Sequence, residues 1–448
     1  MGNGAKYTYP KRLPLFRFFW LSEAIRKNPI PYHRKFFYQY GDTFSVRIGR
    51  QKYIMLSRDK RVVKHILQQQ HRNYKKSSIQ TDFLSKYLGN GLLTSQGEFW
   101  RRQRRLIQPA FHKSKMEQIV KLIDRTVDRE VGKIEAAQAM DPYPIMNTLT
   151  FKVVANSLFD VRLEEGTLAR LQEIIGAIQD FLVKEIRLPH KRWWFKLSGQ
   201  TGKHLDMAQE SRDIIRAIIA DRQQEGVKRD DLLDLLLDAR YEDTGKPMEM
   251  EQLIDEISIL FVAGHETTAN ALTFTLYLLA EHPMVQQQVL EEVNLLTDQE
   301  LSYSEYLRKL PFTRAVIDEA MRLYPPAWIT DRENLEDDQL AGYNIRKDTL
   351  IGVSFYELHR HPGYWEEPDL FKPERFIEGL PKEAAEAYFP FGAGPRMCIG
   401  MGFAISEMLL VVAAIVRKFQ LSSAGSDMEF NPLITLKPVD LKINWELR

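Results

Sequence analysis

No proline interrupts the chain between Met250 and His282. Wholly helical, that stretch would reach ~48 Å. Leu253, Ile254, Ile257, Ile259, Leu260, Phe261 and Val262 cover most of its circumference, so its middle is predicted to be buried. Into this apolar run fall Ala263-Gly264-His265-Glu266-Thr267-Thr268. A glycine inside a helix costs ~1 kcal/mol relative to alanine. A buried acid costs more unless it is paired or neutral. Taken alone, Thr267 reads as a hydroxyl bonding back to the Ala263 carbonyl and bending the helix. His265 reads as a helix-face histidine with a local partner.

The second constraint is Cys398, the one cysteine in 448 residues. An intramolecular disulfide and a multi-cysteine metal cage are thereby excluded. The thiol is either a small buried hydrophobe or a solitary nucleophile or metal ligand. It stands in Phe391-Gly392-Ala393-Gly394-Pro395-Arg396-Met397-Cys398-Ile399-Gly400. The glycines and Pro395 predict an irregular loop rather than a helix or central strand. Such a loop lets backbone approach a bulky partner closely. Arg396 puts a fixed positive charge two residues from the sulfur, and Phe391 can pack over the site.

Three further patterns recur along the chain. Glu319 and Arg322 are three apart in an apolar-patterned helix and share a face. They are followed by Leu323-Tyr324-Pro325-Pro326, and later by Pro373-Glu374-Arg375-Phe376. Trp100 and Arg104 are four apart in an arginine-rich run and also share a face, while Arg101, Arg102 and Arg105 read as a solvated one.

The cysteine loop resembles the haem-binding loop of the cytochrome P450 family, F-x-x-G-x-[HR]-x-C-x-G, filled by Phe391, Gly394, Arg396, Cys398 and Gly400. Residues 263–268 resemble that family's oxygen-activation helix, Glu319, Arg322 and Arg375 its E-x-x-R and P-E-R-F network, and Trp100 and Arg104 its W-x-x-x-R. The resemblance extends over essentially the whole chain. It implies a mainly α fold with a small β region, the cytochrome P450 fold, as one domain over 1–448. The β-rich portion is expected at about 40–60, 330–355 and 430–447, and the helical portion at about 60–325 and 400–420.

The same resemblance implies haem b (iron protoporphyrin IX) with Cys398 as the thiolate iron ligand. Thiolate ligation in this family is the general case of a ligand that pushes electron density toward O–O cleavage. Trp100, Arg104, Arg332 and Arg396 would address the two propionates. Glu319, clamped between Arg322 and Arg375, would hold the cysteine loop in shape. Thr267 would hold the water that delivers protons to dioxygen, Glu266 would relay them, and the helix would open locally there. The implied activity is a monooxygenase that hydroxylates or O-dealkylates a small organic substrate. The alternatives are a peroxide-driven relative, which the Glu266–Thr267 pair argues against, and a non-catalytic haem-thiolate sensor.

Composition bears on partners and place. Apolar residues make up 44% and charged residues 27%, a globular balance. The net charge of +2 gives no reason to expect nucleic acid. No run of ~18 apolar residues predicts a transmembrane helix. The N-terminal stretch lacks the apolar core of a signal peptide, and Lys6 breaks the myristoylation pattern that Gly2 would begin. A lone cysteine suits a reducing compartment. The expectation is a monomeric cytoplasmic protein of the soluble bacterial type. No flavin-binding unit follows Arg448, so its electrons would come from a ferredoxin or flavodoxin with its reductase. Arg101, Arg102 and Arg105 are expected to offer that acidic partner a basic surface.

Residues 44–48 and 53–56 read as a hairpin around Gly49. Short strands are expected around Gly342 and Gly352 and from Leu433 to Leu447, with a helical break at Gln223-Gln224-Glu225-Gly226 and a helix from Gly402 to Phe419. The family resemblance puts the substrate against residues 76–92 and 171–205, Ala263, Ala327, Trp328, Ile329 and the turn at Leu433 and Ile434. These are mostly apolar, which favours a fatty acid, terpenoid or carotenoid. A polar methoxy compound such as a methylated sugar is the alternative and would use Lys184, Arg187, His190 or Lys191. The segment from Arg187 to Lys196 mixes cations with aromatics. It is either a pocket roof with its cations in solvent or a segment that touches a membrane surface.

Overall fold

The computed structural model describes residues 7–448 except 49–51, 160–164, 230, 297–298 and 300. Gly2, Lys6 and Gly49 lie outside the described residues. Helices predominate, with four small sheets. The chain divides into two compact units.

One unit comprises the chain up to Ser77, Ala315–Cys398 and Met428–Val439. Its five-stranded sheet runs in the order Thr43–Ile48, Lys52–Ser57, Leu350–Ser354, Ile329–Asn334, Tyr74–Lys75. The first two strands form the expected antiparallel hairpin, Thr43 opposite Ser57 and Ile48 opposite Lys52. Leu350–Ser354 pairs parallel with the second strand and antiparallel with Ile329–Asn334. Val62, Ile66, Leu67, Ile351, Val353, Leu358, Phe389 and Ala393 form one buried cluster under this sheet. The residues leading into the cysteine loop are therefore rooted in a core.

The other unit comprises Ser78–Arg314, Ile399–Asp427 and Asp440–Arg448. At its centre is a helix from Met250 to Glu281, continuous and buried along most of its length, as the proline-free run predicts. It ends where Pro283 begins the next helix at a position that needs no N–H. Pro142–Phe159 packs along it, with Phe151 stacked on Phe261 at 5.6 Å. At Gly264 the two helices approach closely: a Cβ there would stand 3.0 Å from Val154 Cγ2. The glycine is explained by helix–helix packing.

Two boundaries differ from expectation. Gln223–Glu225 form the last turn of a helix that starts at Gln200, because polar side chains on its exposed face do not end a helix. The C-terminal helix runs Met401–Lys418, and Phe419 opens a strand instead of closing it.

Candidate active site

In the first unit the cysteine loop is a set of nested turns. Gly392 N–H donates to Phe389 O (3.1 Å), Met397 N–H to Gly394 O (3.0 Å) and Cys398 N–H to Phe391 O (2.9 Å). The result is an exposed Cys398 thiol at the end of a short 3-10 turn, Gly394–Arg396. Gly394 has φ +69°, and a Cβ there would fall 1.8 Å from the Leu67 carbonyl oxygen. Conformation and space both demand glycine at this point. Phe391 and Gly400 are half-buried.

Glu319 and Arg322 are both completely buried on the helix Pro311–Leu323. Arg322 satisfies all five of its donor N–H groups: Nε and one terminal nitrogen to the Glu319 carboxylate (2.7 and 2.8 Å), and three bonds to the carbonyls of His359, Pro368 and Leu370 (2.8, 2.7 and 3.0 Å). Arg375 Nε and the Lys372 backbone N–H also reach Glu319 Oε1, at 3.1 and 2.9 Å. Glu319 thus lies between Arg322 and Arg375.

His359 carries the clamp toward the cysteine loop, and no sequence motif pointed to it. Its carbonyl takes Arg322, and its ring Nε2 accepts the Phe389 N–H at 3.0 Å. Accepting that bond requires the neutral ring protonated at Nδ1. Burial, then the neighbouring Arg322 and Arg360, hold its pKa down to about 3.

The unit also gathers positive charge. Lys76 and Arg332 are buried, and Lys76 feels Arg396 and Arg332 as repulsive charges and Asp331 as an attractive one. Burial first, then these two arginines, depress the lysine pKa well below its usual value. Burial likewise lowers that of Arg332. Lys76, Arg332 and Arg396, gathered beside Asp331, make a donor set suited to a ligand with two negative charges. Two haem propionates are such a ligand, so the donor set fits the group. Lys76 escaped the sequence reading because a lysine in Lys75-Lys76-Ser77-Ser78 looks like ordinary surface.

In the second unit, Ala263, Gly264, Glu266 and Thr267 form an open face on an otherwise buried helix. The helix stays continuous here instead of opening. Thr267 Oγ1 donates to the Ala263 carbonyl at 2.8 Å, and Thr268 Oγ1 to Gly264 at 2.9 Å, so the hydroxyls back-bond within the helix. Glu266 accepts a hydrogen bond from Gln179 Nε2. His265 is buried, bonded to the Phe261 carbonyl (2.6 Å) and set edge-on to Phe151, the local partnership expected of it.

Trp100 is buried and Arg104 half-buried on the helix Gly97–Ile107. The three outer arginines do not form a plain basic face. Arg101 pairs with Glu98, Arg102 with Asp243 and Arg105 with Glu242, and these acids offset the charge locally.

The expected pocket residues are mixed. Ala263 is on the open helix face and Ala327 is exposed. Ile329 and Leu433 are half-buried. Trp328 is buried, stacked on His33, with its indole N–H given to the Leu433 carbonyl at 3.0 Å. Its bulk holds the turn at 433.

Comparison with solved structures places the fold first: the chain superposes on the haem domain of cytochrome P450DA with a TM-score of 0.87 at 25% identity, covering 99% of this chain and 98% of that one. The cytochrome P450 family model matches residues 8–445, and the chain belongs to that family. Cyclooctat-9-en-7-ol 5-monooxygenase of Streptomyces melanosporofaciens is 32% identical over 85% of this chain and 83% of its own length. Pentalenene oxygenase of Streptomyces avermitilis is 28% identical over 78% of each. LUTEIN DEFICIENT 5 of Arabidopsis thaliana is 29% identical over 90% of this chain and 71% of its own. The protein is a haem-containing oxidoreductase of the monooxygenase type. Among the described residues no helix is long and apolar enough to cross a membrane.

Proposed function

We propose that this monooxygenase oxidises a lipophilic, terpenoid-type molecule with electrons from a separate ferredoxin or flavodoxin system. The observation that carries the cofactor reading is the gathering of Lys76, Arg332 and Arg396 in the unit that bears the Cys398 loop. Two relatives with terpenoid-oxidising names support the substrate class.

Haem b, when bound, supplies dioxygen activation and the oxidation itself. Cys398 would hold its iron through the thiolate, framed by Phe391 and Gly400. Lys76, Arg332 and Arg396 would hold its propionates. Glu319, Arg322 and Arg375 keep the loop that presents the thiol rigid. Thr267 gives its proton to the Ala263 carbonyl, which leaves its oxygen as an acceptor for a water. Glu266, partly exposed and hydrogen-bonded by Gln179, is the carboxylate that refills that water with protons. Ala327, Ile329 and Leu433 would line the substrate, with Trp328 supporting the turn.

The test is a binding screen on the purified ferric protein with di- and sesquiterpene alcohols, fatty acids and methylated sugars. A shift of the Soret band to shorter wavelength with terpenes is the expected result. A shift confined to methylated sugars would replace the terpenoid reading with ether demethylation.

A further inference from the structure

We infer that the turn at residues 89–92 is held over the central helix by a proton-dependent latch, closed by Asp255 and Glu256 and released when Glu256 ionises. The inference depends on neither the substrate nor the cofactor reading.

The turn is folded on itself. Thr94 Oγ1 donates to the Gly89 carbonyl at 2.8 Å and accepts the Gly91 N–H at 3.1 Å, and the Ser95 N–H donates to the Gly91 carbonyl at 2.8 Å. Two neighbouring carboxyl groups fasten it to the helix Met250–Glu281. The Asn90 N–H donates to Asp255 Oδ2 at 2.7 Å, and the Leu92 N–H to Glu256 Oε2 at 2.9 Å. Gln252 Nε2 bridges the two sides, donating to the Asn90 carbonyl and to Glu256 Oε1, both at 3.0 Å. Both glycines are moulded to these acids. A Cβ at Gly89, where φ is +79°, would overlap the Asp255 carboxylate. One at Gly91 would stand 2.6 Å from Glu256 Oε2 and 2.8 Å from Ile259 Cδ1. Glu256, Ile259, Ala263 and Thr267 recur every three or four residues and share a stripe. The latch therefore lies on the stripe that carries the open face, and Ile259 beneath the turn is one helical turn before Ala263.

The two acids are not equivalent. Asp255 is partly exposed and pairs with Arg212 of the helix Gln200–Glu225, which also reaches Glu251. Glu256 is completely buried and no cation faces it. The groups around it are the Leu92 N–H, neutral Gln252, negative Asp255 and the Tyr241 phenol, which burial keeps neutral beyond its usual range. Such a site tolerates a protonated carboxyl and penalises an ionised one. Burial accordingly lifts the Glu256 pKa from 4.5 to about 7. Asn90, on the turn, is exposed, so lifting the turn brings water to the carboxylate. The lifted form then regains an ordinary carboxyl pKa and sheds a proton that the closed form retains. Opening becomes more favourable as pH rises from 4.5 to about 7 and is level above that.

The full-length, haem-loaded protein would be exchanged into deuterium oxide between pH 5 and pH 8. Mass spectrometry would follow the amides of residues 89–95, each rate divided by that of an unstructured peptide of the same sequence. The expected result is a corrected rate that rises roughly ten- to a hundredfold across this range. Glu256→Gln keeps an acceptor for Leu92 and cannot ionise, so its corrected rate should stay flat at the parent's low-pH level. Asp255→Asn removes the adjacent negative charge, so its rise should move to lower pH. An unchanged carbon-monoxide difference spectrum shows that each variant keeps its fold. A parent with no rise, or a Glu256→Gln variant that rises as the parent does, would overturn the inference. So would an equal rise in the amides of the helix Pro142–Phe159, which would mean a general loosening of the unit.

Discussion

Glu256 shows how one side chain can tie pH to stability. It lies buried on the central helix and accepts the Leu92 N–H at 2.9 Å and Gln252 Nε2 at 3.0 Å. Burial outweighs these donors and lifts its pKa from 4.5 to about 7, with Asp255 adding to the rise. Between those values the unfolded chain has lost a proton that the folded protein still holds. Stability therefore falls as pH rises from 4.5 to about 7 and is level above that. Glu256→Gln removes the titration while keeping an acceptor for Leu92. Urea unfolding should find the variant gaining on the parent by roughly 1–3 kcal/mol between pH 5 and pH 8. A constant difference across that range would mean that the carboxyl is not the titrating group. The sequence did not point to this residue. A glutamate with a glutamine four residues earlier looks like an ordinary helix-surface pair, and its other partner here is a backbone N–H from a distant loop.

At the scale of elements, Arg322 joins the helix Pro311–Leu323 to the irregular segment His359–Leu370 through three of its five hydrogen bonds, the other two going to Glu319 on the same helix. A salt bridge alone would ask only for a positive charge. This site asks for a planar fork. Arg322→Lys keeps the charge but has three donors, so carbonyls would be left unsatisfied in the core. We expect a loss of about 3–5 kcal/mol and a marked drop in the haem-loaded fraction. The carbon-monoxide difference spectrum and denaturant unfolding, measured together, check both. A lysine variant equal to the parent in both would reduce the network to simple charge pairing. The resemblance pointed to Glu319, Arg322 and Arg375 through two short motifs, at 319–322 and 373–376. His359 was not legible, since its role rests on a ring nitrogen and a carbonyl meeting groups 30 and 37 residues away. The elements themselves were easier to read: the central helix and the first hairpin follow from period and proline placement. The end of the helix Gln200–Glu225 did not, because a polar run looks alike in a last turn and in a loop. The exposure of Trp193 and Trp194 was likewise unreadable, since aromatics at that spacing also suit a pocket roof.

For the molecule as a whole, the positive cluster of buried Lys76 and Arg332 with half-buried Arg396 predicts how the protein responds to loss of its cofactor. Without haem carboxylates, like charges repel inside a region of low dielectric. Haem-free protein should melt well below the loaded form, because a ligand bound only by the native state adds stability. It should also recover more of its Tm as sodium chloride rises, since salt screens the repulsion. Calorimetry of both forms across a salt series checks this. Parallel slopes would mean that the cations are neutralised within the protein itself.

The contact between Gly394 and the Leu67 carbonyl has a consequence for anyone who redesigns this protein. The cysteine loop is cast against main chain, which cannot be trimmed by mutation as a side chain can. The loop and residues His65–Gln69, a wide helical turn, therefore form one exchangeable module. A chimera that imports a foreign cysteine loop should carry the matching turn with it. Grafted alone, the loop would meet a mould of the wrong shape, however well its own ten residues were chosen.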